Sequence, residues 1–396
     1  MVRVSSTGFP LGADIASRAV TTLSATGVTV ADAALGRLAA AGLPAARAIG
    51  ASREQIWPHI SGSAFQTGGR FANAEAASEE LDADVKVAID MLRRPGRPTA
   101  PIEVLTPTFS DEVSDLAVTW LGHASALVEL DGVRVLTDPV FSRRCSPSQV
   151  LGPQRMHRAP LAATELPALD VVLISHDHYD HLDTATVVDI AVTQPDAIFV
   201  APVGVGAHLQ SWGIHHRRIR EADWSEQIEI TVGATTLTFT CCPARHFSGR
   251  GLSRNLTQWA SWAVAGPGHS FFFSGDTGFT ERFEAVGDRS GPFDLTLIAV
   301  GAYDPLWPDI HVNPEEAVAV HDLVSGAGGR DSVLVPIHWC TFNLARHSWA
   351  DPIQRLLPAA ERAGVTALVP PPGGTIDLAS RTGTGVADPR WWEASA

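Results

Sequence analysis

The chain has 396 residues, 45% of them apolar and 18% charged, with 34 glycines and 27 prolines; this is a loop-rich globular make-up that excludes a disordered or fibrous protein. Lys and Arg total 29 against 43 Asp and Glu, a net charge of -14 that repels a phosphate backbone and argues against nucleic acid as a partner. The length accommodates two domains or one large layered domain with extensions, and an anionic substrate would need a local reversal of sign.

Met1 to Val20 is interrupted by Arg3, Pro10, Asp14 and Arg18, and no stretch reaches the apolar length of a spanning helix, so the expectation is a soluble, cytoplasmic chain. Ala13 to Ala51 and Ala74 to Arg94 read as helical, and four prolines between Pro95 and Pro107 end the second segment. This predicts a helical N-terminal extension over 1–110 and a catalytic domain over 111–396. Leu116 to Leu121, Ser125 to Leu130 and Val133 to Thr137 read as strands, with Asp131-Gly132 as a tight turn. Further strands are expected at Asp170 to Ser175, Ala197 to Ala201, Gln227 to Val232, Thr235 to Cys242, Gln258 to Ala265, Ser270 to Gly275, Leu295 to Val300 and Ser332 to Ile337. Helices are expected at Thr184 to Val192, Gly204 to Trp212, Thr280 to Val286, Pro314 to Val324 and Ala350 to Ala363. Strand-rich halves interleaved with helices predict two sheets packed face to face with helices outside. Cys145, Cys241, Cys242 and Cys340 show no disulfide spacing and fit a reducing compartment and buried packing.

Ser175-His176-Asp177-His178-Tyr179-Asp180-His181-Leu182-Asp183 follows the apolar run Val171 to Ile174. Three imidazoles and a carboxylate within six residues at a strand end suit zinc or a similar divalent ion. The alternative for such a stretch is a solvated polar loop. His246, Asp276 and His338 also follow apolar runs, so they read as ligands from separate elements; singly, each is also a plausible structural residue or turn cap.

The order His-x-His-x-Asp-His, lone His, Ser-Gly-Asp, final His resembles the metallo-β-lactamase superfamily, which implies a four-layer αββα sandwich. Thr119 to Ala124, Leu136 to Ser142, Ile174 to Asp183, Gly301 to Tyr303, His311 to Ala317 and Ile337 to Trp339 resemble the N-acyl-phosphatidylethanolamine-hydrolysing phospholipase D group and its bacterial relatives. The resemblance implies one zinc on His176, His178 and His246, a second on Asp180, His181 and His338, and Asp276 bridging them; Mn2+ or iron would also suit such ligands. Two such ions lower the pKa of water to make a bridging hydroxide and neutralise charge on a phosphoryl group. Asp138 is expected to orient a ligating His. The resemblance puts His311 and Tyr179 against substrate, so Asp180, Asp276 and His311 are the expected catalytic residues; His311 as a helix cap and Tyr179 as packing are the alternatives. Arg143, Arg144 and Arg155 are either a charge source for an anionic substrate or solvated surface groups. Cys340 stands where the family usually has Gly and is expected to pack.

The expected function is therefore a dinuclear zinc phosphodiesterase of phospholipase D type, acting on a lipid or small phosphodiester. The alternatives are a lactonase similar to the ascorbate-6-phosphate lactonases and a non-catalytic metal-binding protein. Eleven tryptophans leave peripheral membrane contact open, and the extension leaves a homodimer open.

Overall fold

The computed structural model describes residues 44–75, 96–250, 253–326, 331–378, 382–384 and 390–395. Most of the two N-terminal helices expected over 13–51 and 74–94 lies outside the described residues; within the first, α1 covers Pro44–Ile49. A second helix, α2 at Arg53–Ile60, was not expected: its sequence is polar, and it starts on a capping box in which Ser52 and Gln55 bond each other's backbone N–H. It docks by burying Ile56 and Ile60. A two-residue hairpin follows, β1 at Gln66–Thr67 and β2 at Arg70–Phe71.

The first large sheet contains β3 (Leu116–Gly122), β4 (Ser125–Leu130), β5 (Val133–Thr137), β6 (Val171–Leu173), β7 (Ile198–Pro202) and β8 (Ile219–Ala222). The second contains β9 (Gln227–Val232), β10 (Thr235–Pro243), β11 (Ala260–Ala265), β12 (Ser270–Phe273), β13 (Leu295–Ala299), β14 (Val333–Ile337) and β15 (Thr366–Ala367). The C-terminal strands β16 (Thr375–Asp377) and β17 (Thr382–Thr384) return to the first sheet, whose order is β17-β16-β3-β4-β5-β6-β7-β8; the second runs β15 to β9 in reverse chain order. Each sheet has an antiparallel half that turns parallel, at β5/β6 in the first and β12/β13 in the second. The expected turn at Asp131-Gly132 joins β4 to β5.

Parallel neighbours need crossovers, and helices supply them. They are α3 (Thr184–Thr193) and α4 (Val205–Ser211) on the first sheet, and α5 (Phe283–Ser290), α6 (Pro314–Ser325) and α7 (Asp351–Ala363) on the second. Alternate residues of one strand face opposite layers. Val128, Val135 and Val171 join Phe239, Val264 and Leu297 in the core between the sheets, while Leu127, Leu136 and Val172 meet Val187 and Ile190 of α3 outside. On the far side Phe272 meets Phe283 of α5 edge to face at 5.9 Å. The result is the expected αββα sandwich.

The structure corrects the sequence reading in two places. β8, β15 and β16 were missed: with two apolar residues or fewer, they take their pairing from neighbouring strands rather than from their own pattern. The helix expected at Thr280 begins instead at Phe283, after a turn. Ten of the eleven tryptophans are buried and build core, and Trp57 is exposed. Among the described residues no helix is long and apolar enough to cross a membrane.

Candidate metal centre

The polar residues singled out above lie where strands end, and loops from both sheets converge there. Ser175 to Asp183 connects β6 to α3, Asp138 follows β5, His246 follows β10, Asp276 follows β12 and His338 follows β14; His123 sits in the tight turn between β3 and β4. Ligand sites of α/β sheets gather at the carboxyl ends of strands for this reason. His123, Asp138 and His338 hold left-handed backbone angles, φ 53°, 31° and 62°. For residues other than glycine such angles cost about 1–3 kcal/mol and concentrate at functional sites. Gly275, with φ 54°, precedes Asp276 in the only way the packing allows, because a Cβ there would lie 2.6 Å from Ser175 Cβ.

All seven predicted ligands come together, in two clusters whose ligand atoms lie within 4.8 Å of one another. In the first, His178 Nδ1 is 2.8 Å from His176 Nε2 and 3.3 Å from His246 Nε2. Asp276 Oδ2 is 3.9 Å and 3.7 Å from the Nε2 atoms of His176 and His246. In the second, Asp180 Oδ2 is 3.6 Å from His181 Nε2 and 3.3 Å from His338 Nε2. Asp276 faces this cluster too, with Oδ2 3.1 Å from His181 Nε2 and Oδ1 3.2 Å from His338 Nε2. His123 is an additional member: its Nε2 is 3.0 Å from Asp180 Oδ2. Its signal lay in Thr119 to Ala124, but no spacing ties it to the other histidines, and only the β3–β4 turn delivers it.

The rings are oriented from behind. His181 Nδ1 donates to Asp138 Oδ2 at 2.6 Å, so Asp138 occupies the orienting position expected of it. Asp138 also accepts from the Ser175 N–H at 2.7 Å and from its hydroxyl at 2.5 Å. With that hydroxyl proton committed, Ser175 Oγ accepts from His176 Nδ1 at 2.8 Å. His246 Nδ1 donates to the Ile310 carbonyl at 3.1 Å. Each bond puts the proton on Nδ1 and leaves Nε2 as a bare lone pair turned into the cluster.

A sequence reading missed three residues that hold these loops, because their partners are distant in the chain. Asn73 accepts the His246 N–H at 3.0 Å and donates to its carbonyl at 2.7 Å. The buried Asp177 carboxylate accepts from Gly249 N–H at 2.7 Å and from the Thr257 hydroxyl at 2.9 Å. The buried Arg250 guanidinium donates to the carbonyls of Asp177, Leu182 and Ala48.

The donor set fits divalent cations. His181 Nε2, His338 Nε2 and Asp276 Oδ1 are buried and, despite their proximity, make no hydrogen bond; buried polar atoms left this way mark an ion or water site. Burial, then the neighbouring rings of His181, His178 and His246, pushes His176 well below the usual imidazole range, and burial likewise depresses His178 and His246. Each shift favours the neutral ring, the form that ligation requires. Burial also opposes charge on His181 and His338, but the carboxylates of Asp276 and Asp180 outweigh it, raising His181 well above its ordinary value and His338 to about 9. The second cluster thus calls for positive charge, which protons or a divalent ion satisfy.

His311 lies beside both clusters, with Nδ1 buried, unpartnered and 3.9 Å from Asp276 Oδ2. Burial pulls its pKa to about 4. Asn313 and Glu316, not His311, cap α6. Tyr179 donates its hydroxyl to the Arg250 carbonyl, and its ring lies 4.3 Å under that guanidinium. Arg155 is buried rather than solvated, Arg144 ties its own loop, and Arg143 is exposed. Cys340 is buried and belongs to none of the clusters.

Residues 133–339 match the family model of the β-lactamase superfamily domain. An uncharacterized protein of Mycobacterium tuberculosis is 50% identical over 345 residues, covering 85% of this chain and 90% of that protein. An N-acyl-phosphatidylethanolamine-hydrolyzing phospholipase D of Caenorhabditis elegans is 38% identical over 315 residues, covering 77% of this chain and 83% of its own length. The crystal structure of an isothiocyanate hydrolase from Delia radicum gut bacteria superposes with a TM-score of 0.51 at 18% identity, over 66% of this chain and 98% of the other, which shows a shared fold. The chain belongs to the β-lactamase superfamily and is a metal-dependent hydrolase of metallo-β-lactamase fold.

Proposed function

We propose that the protein is a dinuclear zinc phosphodiesterase acting on a lipid or small phosphodiester. The observation that carries this reading is the position of Asp276, whose two oxygens lie 3.1 Å from His181 Nε2 and 3.2 Å from His338 Nε2 while Oδ2 also faces His176 and His246. One carboxylate between two His-rich clusters is the arrangement that holds a pair of ions. Five imidazoles and two carboxylates favour zinc, with manganese or iron as alternatives. Two bound ions supply a Lewis acid for phosphoryl oxygens and lower the pKa of water. The similarity to the nematode phospholipase D supports a phosphodiester as the substrate.

The chain's own residues divide the work. His176, His178 and His246 present neutral nitrogens to one position, and Asp180, His181 and His338 to the other. Asp138 and Ser175 keep the rings turned inward. His311, held neutral by burial, is placed to donate to a phosphoryl oxygen or a leaving alkoxide. The hydroxyl of Tyr179 is engaged by Arg250, so a substrate contact through it requires that bond to break. The test is hydrolysis by the zinc-loaded protein of bis-p-nitrophenyl phosphate, of an N-acyl-phosphatidylethanolamine and of a lactone. Turnover of the phosphodiesters is the expected result; lactone turnover with no phosphodiester turnover would replace this reading with the lactonase one.

A further inference from the structure

The loop between β5 and β6 folds back on itself beside the metal centre. Cys145 N–H donates to the Pro153 carbonyl at 3.2 Å and Arg155 N–H to the Arg143 carbonyl at 2.9 Å, on either side of a bridge between Arg144 and Gln154. Antiparallel pairing alternates faces, so Arg143 and Arg155 stand opposite each other on one face and Arg144 on the other. Like charges directly opposite destabilise a ribbon unless something neutralises them. Among the described residues no carboxylate does so at contact distance. Among the described residues the Arg155 guanidinium bonds the carbonyls of Val140 and Ser142, lies 5.3 Å over the Phe342 ring and leaves Nη1 buried without a partner. Arg158 bonds the carbonyls of Val104, Ala159 and Pro160 and the Thr106 hydroxyl. Every acceptor is neutral. Burial lowers the pKa of Arg155 to about 10 despite the field of Asp183, so the guanidinium stays charged at neutral pH.

The three arginines border one cavity of about 730 Å³ whose lining contains no Asp or Glu and whose apolar walls include Ile102, Phe141 and Met156. In a chain of net charge -14 this is a local reversal of sign, in a volume typical of small-molecule sites. None of its lining residues belongs to the His/Asp clusters. We propose that this cavity is a second ligand site for an amphiphile bearing a phosphate monoester, with the phosphate between Arg143 and Arg155 and the apolar body on Ile102, Phe141 and Met156. Guanidinium pairs suit phosphate because their planar forks give bidentate bonds. The contact of Arg155 with Phe342, whose ring meets His123 at 5.1 Å, connects the cavity to the second cluster. The proposal does not depend on the reaction at the metals.

Amide hydrogen exchange of the metal-loaded full chain tests it, with dihexanoyl phosphatidate below its micellar concentration, dihexanoyl phosphatidylcholine, and phosphatidylcholine vesicles with and without phosphatidate. Phosphatidate should slow exchange in residues 141–158. Arg143→Ala should weaken that protection at least tenfold, while Arg362→Ala, an exposed arginine on α7, should not. Arg143 is itself exposed, so its removal leaves the packing intact. Protection by the monomeric lipid assigns a soluble ligand; protection only on phosphatidate vesicles assigns a membrane headgroup. Either supports the site. No protection of 141–158, equal protection by phosphatidylcholine, or undiminished protection in Arg143→Ala would overturn it.

Discussion

Asn73 grips His246 by both ends of its backbone, accepting its N–H and donating to its carbonyl, and its Oδ1 also accepts from Trp259 Nε1 at 3.1 Å. Removing the amide leaves buried backbone groups of His246 unsatisfied, at about 1–3 kcal/mol. Asn73→Ala should therefore weaken metal binding about 10–100-fold, measured by competition with a chelator, while the fold persists; unchanged affinity contradicts the role assigned to Asn73. His338 makes a prediction for the chelator-stripped protein. Its folded pKa, raised to about 9 from an ordinary 6.5, adds stability that is fully present below 6.5 and disappears as pH rises through 9. The melting temperature of stripped protein should fall across that window and that of metal-loaded protein should not, since the ion replaces the proton. Parallel pH profiles for the two forms would refute the charge balance drawn for the second cluster.

The loop between β6 and α3 carries four of the seven predicted ligands, and one side chain fastens it. Arg250 bonds the carbonyls of Asp177 and Leu182, on either side of His178 to His181, and the carbonyl of Ala48 in α1. Arg250→Ala strands these carbonyls and should cost about 3 kcal/mol or more in urea unfolding. A loss below about 1 kcal/mol would mean that the loop holds itself. Elements were legible where their own pattern decided them: β3 to β5 read from short apolar runs and the Asp-Gly turn, and α6 from the helical segment that starts at Pro314. They were not legible where partners decided them. β8 reads Ile-Arg-Glu-Ala and is a strand because β7 offers an open parallel edge. α2 is polar and depends on Ser52 and on two isoleucines meeting the core.

At the scale of the molecule, the two sheets each contribute one side of the centre, and residues 44–75 close it from outside through Ala48 and Asn73. The seven candidate ligands could be singled out from sequence because short motifs after apolar runs mark strand ends. Their division into two clusters that share Asp276 came from the family resemblance and not from residue spacing, because it depends on how the sheets face each other. His123 was hidden for the same reason. The acidic balance also has a spatial answer, since the lining of the Arg143–Arg155 cavity holds three arginines and no Asp or Glu within an otherwise acidic chain, and ions bound at the proposed centre would reverse the sign there as well. Anomalous X-ray scattering from zinc-soaked crystals of the wild type and of Asp276→Ala shows whether two ions share Asp276. The account predicts two peaks in the wild type, one among His176, His178 and His246 and one among Asp180, His181 and His338, and loss of at least one in the variant. A single peak in the wild type, or two undiminished peaks in the variant, would contradict it.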